Sequence, residues 1–189
     1  MPLRRRPLFA VAVCLTLGAS VEGLSGQTIT EMTSSPDETA GLFLRSVRSI
    51  RWSTTAPLLH PETLDRFRTT VTLIADADVT GEVRRYLLTS DSVRALGLDD
   101  AEVFQRAIGV MIDDMPGLMH ALFDRDDEVI GHVPENSEGA HVVYRTTARI
   151  SGAVPEVKVM QLGRTEEGWR VLWSDELEVL EAALRGVAR

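Results

Sequence analysis

The chain of 189 residues holds one cysteine, Cys14, close to its N-terminus. A domain downstream of it has no disulfide, no thiolate metal ligand and no cysteine nucleophile to draw on, so its stability must rest on its core. Cations are scarce and of one kind. Lys158 is the single lysine beside nineteen arginines, and 28 acidic residues outnumber them all, for a formal charge of −8. Such a surface repels phosphate backbones and anionic lipid heads, which argues against nucleic acid as a partner. The arginine bias reads as genome composition. No apolar run reaches the ~20 residues of a membrane span. P-loop, dinucleotide fingerprint and nucleophile elbow are all missing, and no residue pattern calls for a cofactor.

What is present begins with an ordered leader. Arg4, Arg5 and Arg6 precede an apolar run from Leu8 to Leu17, followed by Gly18, Ala19 and Ser20. Basic end, apolar middle and small-residue tail are the order of a secretory signal. The pattern predicts a signal peptide over 1–26, cleaved between residues 20 and 27. A polar linker over 27–35 and one domain over 36–189 follow, the mature chain being exported to the periplasm or outside the cell. Bulky Val13 before Cys14 argues against lipid attachment there. Losing Arg4, Arg5, Arg6 and Glu22 with the leader moves the formal charge to −10. The remaining chain is long enough for one hydrophobic core.

In "SSPDE", Ser35 caps a helix, Pro36 fits its first turn and Glu38 stands three residues on. Ala40, Phe43, Leu44, Val47 and Ile50 then form one stripe at helical spacing. Pro57 and Pro61 punctuate the chain, and Leu64, Phe67, Val71 and Ile74 make a second stripe. Residues 76–123 read as helical pieces, the clearest carrying Val103, Phe104, Ala107, Ile108, Met111 and Ile112. A short "LMHALF" helical turn follows. From Val129 the period becomes two, predicting strands over 128–133, 140–150, 156–164 and 169–174. "DELEVLEAALRG" closes the chain as a helix, capped by Ser174 and stopped at Gly186. The fold class is therefore α+β: N-terminal helices packed on a curved four-stranded antiparallel sheet, with a C-terminal helix.

Turn chemistry suggests registers pairing Val133 with Ala140, Ile150 with Val157, and Thr165 with Trp169 across a loop with Gly168 left-handed. One face then collects Val129, Val133, Val142, Tyr144, Thr146, Val157, Val159, Gln161, Trp169, Val171 and Trp173. The other carries His132, His141 and the arginines, around an apolar strip of Ile130, Val143, Met160, Leu162 and Leu172.

The helical "FLRSVRSIRWSTTAPLLHPETLDRF" followed by a sheet ending "GWRVLWS" resembles the nuclear transport factor 2-like superfamily, with its cystatin-like, cone-shaped α+β fold. The resemblance covers residues 36–174 in order of elements. It implies a sheet curled around a helix with a pocket between them. Members include enzymes such as ketosteroid isomerase, polyketide cyclases and epoxide hydrolases, besides binding and assembly modules. Fold therefore leaves function to the site.

Tyr144, Thr146 and Gln161, flanked by Trp169 and Trp173, are the candidate ligand-binding residues: apolar walls with a few converging polar groups. The competing explanation is that Tyr144 covers the bare backbone of Gly163 while Thr146 and Gln161 satisfy each other. A catalytic base is not indicated on the last three strands and would come from Asp65, Asp113, Asp114 or His120. His132 and His141 would face one another with Glu128 nearby, a pattern more typical of a polar hairpin end than of a metal site. "DRDDE", 124–128, lacks the glycine of a calcium loop and reads as a solvated acidic joint. The apolar strip is either a homodimer surface or a seat for the C-terminal helix. The expected function is non-catalytic binding of a small apolar ligand or protein partner in the cell envelope. The alternatives are a cofactor-free enzyme of the polyketide cyclase or epoxide hydrolase kind, and an assembly module.

Overall fold

The computed structural model describes residues 35–78, 97–114, 117 and 124–187. The leader, most of the linker, the "LMHALF" turn and His120 lie outside the described residues, as do the side chains of Asp113 and Asp114.

Helix α1 spans Pro36–Arg48, and the Ser35 side chain accepts the Glu38 amide at 3.3 Å. Ala40, Phe43, Leu44 and Val47 are buried as the stripe requires. Ile50 is not: the helix ends before it, and the residue sits exposed at φ 55°. A short helix α2, Trp52–Thr55, and a 3-10 turn, Ala56–Leu58, lead to α3, Pro61–Ala77. The His60 amide donates to the Val171 carbonyl at 2.9 Å, and the Thr63 hydroxyl to that of Leu172 at 2.6 Å. These bonds clip the start of α3 to the edge of the sheet. Helix α4, Asp100–Asp114, opens with a reciprocal capping box between Asp99 and Glu102. Its Phe104 meets Phe67 edge to face, centroids 5.1 Å apart, and Trp52 at 6.2 Å.

Four antiparallel strands follow: β1 Arg125–Pro134, β2 Gly139–Ala148, β3 Glu156–Thr165 and β4 Gly168–Trp173, in the order β1-β2-β3-β4. Helix α5, Asp175–Val187, closes the fold, with the Ser174 hydroxyl near the Leu177 amide. Gly186, the expected stop, still lies within it. Leu177, Leu180 and Leu184 are fully buried, and α5 packs on α3 and α4 rather than over the outer face of the sheet. Glu181 accepts from Arg66, Thr70 and Arg185 at this junction.

The registers differ from those expected, each for an identifiable reason. Near Asp127 and Val129 the β1–β2 pairing is as anticipated, Val129 opposite Tyr144. A bulge at Ile130 then shifts the rest by one, so His132 faces Val142 and Val133 faces His141. His132 and His141 therefore lie on opposite faces and share no site. Between β2 and β3 the slip is five residues: Val142 pairs with Met160 and Ala140 with Leu162. An odd slip inverts a strand. Met160 and Leu162 are core, at 0% and 1% exposure, while Val157 and Val159 are outside at 64% and 50%. The observed choice buries the larger side chains and leaves the Gln161 amide in water, where it needs no internal partner. At the β3–β4 turn Gly168 is left-handed as expected (φ 115°), but the loop is one residue shorter and Thr165 pairs with Gly168. This second odd slip cancels the first, so Val171 faces inward. A bulge at Leu172 then returns Trp173 opposite Gln161.

The anticipated dimer strip is thus corrected. Met160 and Leu162 are internal, and Leu172 is half-buried against Gly163 and His60, where a β-carbon on Gly163 would come within 2.9 Å of it. Ile130 is exposed, Val143 is half-buried, and Val133, Val157 and Val159 are the apolar residues the outer face presents.

Candidate functional site

Of the five residues expected to line a pocket, the structure brings two together. Tyr144 and Thr146 point inward from β2 and are buried. Gln161 is exposed on the other face, opposite His141 and Trp173. Trp169 and Trp173 sit half-buried on β4, separated from β2 by the whole of β3. Arg164 approaches the ring of Trp169 at 5.9 Å, and Arg66 stacks over that of Trp173 at 3.8 Å. The indoles are capped by guanidinium groups rather than facing a shared cavity with Tyr144.

The partner of Tyr144 is Glu176, in the first turn of α5. The phenol lies 3.0 Å from both carboxylate oxygens, and Arg125 Nη2 is 2.5 Å from one of them. Arg125 Nε is 3.4 Å from Asp127 Oδ1. All four side chains are buried or nearly so: Glu176 is 0% exposed, Asp127 5% and Arg125 10%. Burial pushes the Tyr144 hydroxyl far above its ordinary range, and the charge of Glu176 adds to the effect. The phenol is therefore a fixed donor, and it cannot serve as a base near neutral pH. Burial also pushes the Asp127 carboxyl upward, with Arg125 opposing. One guanidinium thus serves two carboxylates. Glu176 takes the better share; Asp127 stands opposite Thr146, whose hydroxyl also holds its carboxyl down, and Asp127 Oδ1, Arg125 Nε and Thr146 Oγ1 all fall short of full hydrogen-bond geometry.

This corrects the reading of "DRDDE" as a solvated joint. Asp126 does face solvent, paired with Arg149 at 2.5 Å, but β1 begins at Arg125. Arg125 and Asp127 therefore share the parity of Val129 and turn inward. Extending the strand pattern back through the charged residues would have found them. Glu128 turns outward and pairs with Arg145 across the hairpin at 2.8 Å.

A cleft of about 490 Å³ opens between α1 and β1. His132 Nδ1 lies 2.9 Å from Asp37 Oδ2, and Arg48 lies 3.5 Å from Asp126, so the two elements run in opposite directions along it. Asp37 and Glu38 stand at one end. Gly41, Leu44, Val129 and Ile130 form the apolar middle, and Arg45, Arg48 and Asp127 form the other end. A second hollow lies across Arg125 and Thr146. Strands β1, β2 and β3 form its floor through Arg125, Thr146, Ala148, Glu156 and Lys158, and its far wall is the turn carrying Ile150 and Val154, 68% and 77% exposed. Among the described residues no three His, Cys, Asp or Glu side chains are placed to hold a metal ion. Comparison with known proteins brings no match: no family model fits the chain, and no curated protein or solved structure is significantly similar to it.

Proposed function

We propose that this chain is an exported, non-catalytic binding protein of the nuclear transport factor 2-like kind that holds a small, largely apolar ligand between α1 and β1. The observation that carries the reading is the cleft itself: an apolar middle ended by a buried carboxyl whose hydrogen bonding is incomplete. A cleft of this size with an apolar middle and polar groups gathered at its ends suits a small molecule. Export rests on the basic, apolar and small-residue order of the leader, and no helix among the described residues is long and apolar enough to cross a membrane.

Gly41 gives the test. It lies mid-helix on the cleft wall, and a β-carbon there would meet only the mobile end of Arg45 at 3.1 Å and Val129 at 3.9 Å. Gly41→Ala is expected to raise stability by about 0.5–1 kcal/mol, the ordinary gain of alanine over glycine inside a helix, measured by urea denaturation. Gly41→Leu projects further and fills the middle. It is expected to weaken binding of n-octanol, followed by calorimetry, at least about tenfold with the fold retained. Unchanged octanol binding in that variant rejects the cleft as the ligand site.

One observation favours a second reading. Asp127 lines the cleft with its proton held more tightly than usual, which suits a general acid in a cofactor-free enzyme of the epoxide hydrolase or cyclase kind. In that case the full chain turns over small epoxides, and Asp127→Asn lowers the rate by about 10²–10⁴-fold. A third role, assembly through Val133, Val157 and Val159 on the outer face, predicts dimers in sedimentation.

A further inference from the structure

We propose that the cleft between α1 and β1 selects a carboxylate-headed amphiphile, with its head on Arg45 and Arg48 and its alkyl body over Gly41, Leu44 and Val129. This rests on reading the cleft as a ligand site and adds the chemistry of the ligand.

Gly41, Leu44, Arg45 and Arg48 recur at helical spacing, so one face of α1 presents all four to the cleft. At the basic end the other arginines are already matched. Arg125 serves Asp127 and Glu176, with Thr146 opposite Asp127. Arg149 holds Asp126 through two contacts, at 2.5 and 3.1 Å, and Arg48 reaches the same carboxylate only at 3.5 Å. Arg45 differs from all of them. It is exposed, and its guanidinium makes no hydrogen bond or ion pair among the described residues. Helical side chains lean toward the N-terminus of their helix, and that lean carries Arg45 Nη1 over Gly41, 3.1 Å from where a β-carbon would stand. The unmatched cation therefore hangs beside the apolar middle of the cleft, with a loosely held second one a turn away. A guanidinium fork takes both oxygens of a carboxylate. A hydroxyl head offers it one uncharged acceptor, and an ammonium head offers only further donors. Asp37 and Glu38 open the helix about 15 Å along its axis from Arg48, and Asp37 is taken by His132 at 2.9 Å. A carboxylate head is thereby kept at the arginine end, and its alkyl chain lies over Gly41.

The full chain is titrated with octanoate, n-octanol and n-octylammonium at neutral pH by calorimetry. Octanoate is expected to bind at least about tenfold more tightly than either of the others, the scale of one hydrogen bond to a charged group. Arg45→Gln, a change at an exposed position, should remove that advantage and leave octanol within about twofold. Arg48→Gln should weaken octanoate only about two- to threefold, because Arg48 is shared with Asp126. Arg145→Gln removes the same charge from the outer face of the sheet, where Arg145 pairs with Glu128, and should leave octanoate within about twofold. Octanoate that ranks level with octanol, or that is indifferent to Arg45→Gln, overturns the proposal. An equal loss in Arg145→Gln also overturns it, since attraction to net charge would then suffice. Octanol binding that Gly41→Leu weakens, with no preference for octanoate, rejects the charge inference alone. No binding by any of the three rejects the cleft reading and this proposal together.

Discussion

Replacing Arg125 by methionine is expected to destabilise the fold by about 3–5 kcal/mol, because it strands two buried carboxyl groups at once. Among the described residues Arg125 is the one cation paired with both Asp127 and Glu176. Methionine keeps most of the apolar stem, so the loss is electrostatic rather than a cavity effect. Glu176→Gln in the same chain should recover at least about 2 kcal/mol of it: the amide oxygen still accepts from Tyr144, and one of the uncompensated charges is gone. The coupling between the two changes, read from a double-mutant cycle in urea, is the quantity to measure. Simple additivity would show that Arg125 and Glu176 do not hold each other in place. The deficit of Arg125→Met should also shrink on acidification. Asp127 already binds its proton more tightly in the folded chain than its ordinary carboxyl range. An acid raised by folding costs stability at high pH, and that cost fades as pH falls from above its folded value to below its unfolded one. Losing Arg125 raises Asp127 further and widens that window. A deficit that is constant from pH 7 to pH 4 would mean that Asp127 carries no uncompensated charge.

The elements of this fold are largely legible in its residues, and the contacts between them much less so. Ser35, Pro36 and the stripe through Val47 announce α1 because capping and helical spacing are local properties. The inward set Ala140, Val142, Tyr144 and Thr146 is equally legible, since the alternation on β2 has one apolar parity. β3 offers two: Val157 and Val159 on one side, Met160 and Leu162 on the other. Pattern alone cannot choose between them, and the decision falls to side-chain volume and to the cost of burying Gln161. The bulges at Ile130 and Leu172 leave no mark in composition, yet each moves the residues beyond it to the other face. Glu176 is the largest omission. In the first turn of α5 an acidic residue reads as ordinary complement to the helix dipole. Only the docking of that turn beside β2 shows that its carboxylate is wholly buried against Tyr144. Likewise Arg125 and Asp127 are hidden because charged residues before an apolar strand look like a loop until the strand is known to include them.

The orientation of β3 is open to a direct test, and the expected effects are large. Met160→Ala and Leu162→Ala should each cost about 2–5 kcal/mol, the range for removing a fully buried Met or Leu side chain. Val157→Thr and Val159→Thr, on the outer face of the same strand, should stay within about 0.5 kcal/mol. The opposite ranking, by urea denaturation, would turn the strand over. Gln161→Leu should leave both stability and binding of n-octanol nearly unchanged, since its side chain stands in water on the far face from Tyr144. The consequence reaches the site. The β2–β3 register sets Lys158 beside Tyr144, and Lys158 reaches Asp175 at 3.1 Å, the residue that opens α5. That contact helps fix the turn from which Glu176 enters the core. A strand shifted by one residue would send Lys158 outward and loosen the approach of Glu176 to Tyr144 and Arg125. The side chains that leave Asp127 incompletely paired in the cleft are thus held, through β3, by the same choice that buries Met160 and Leu162.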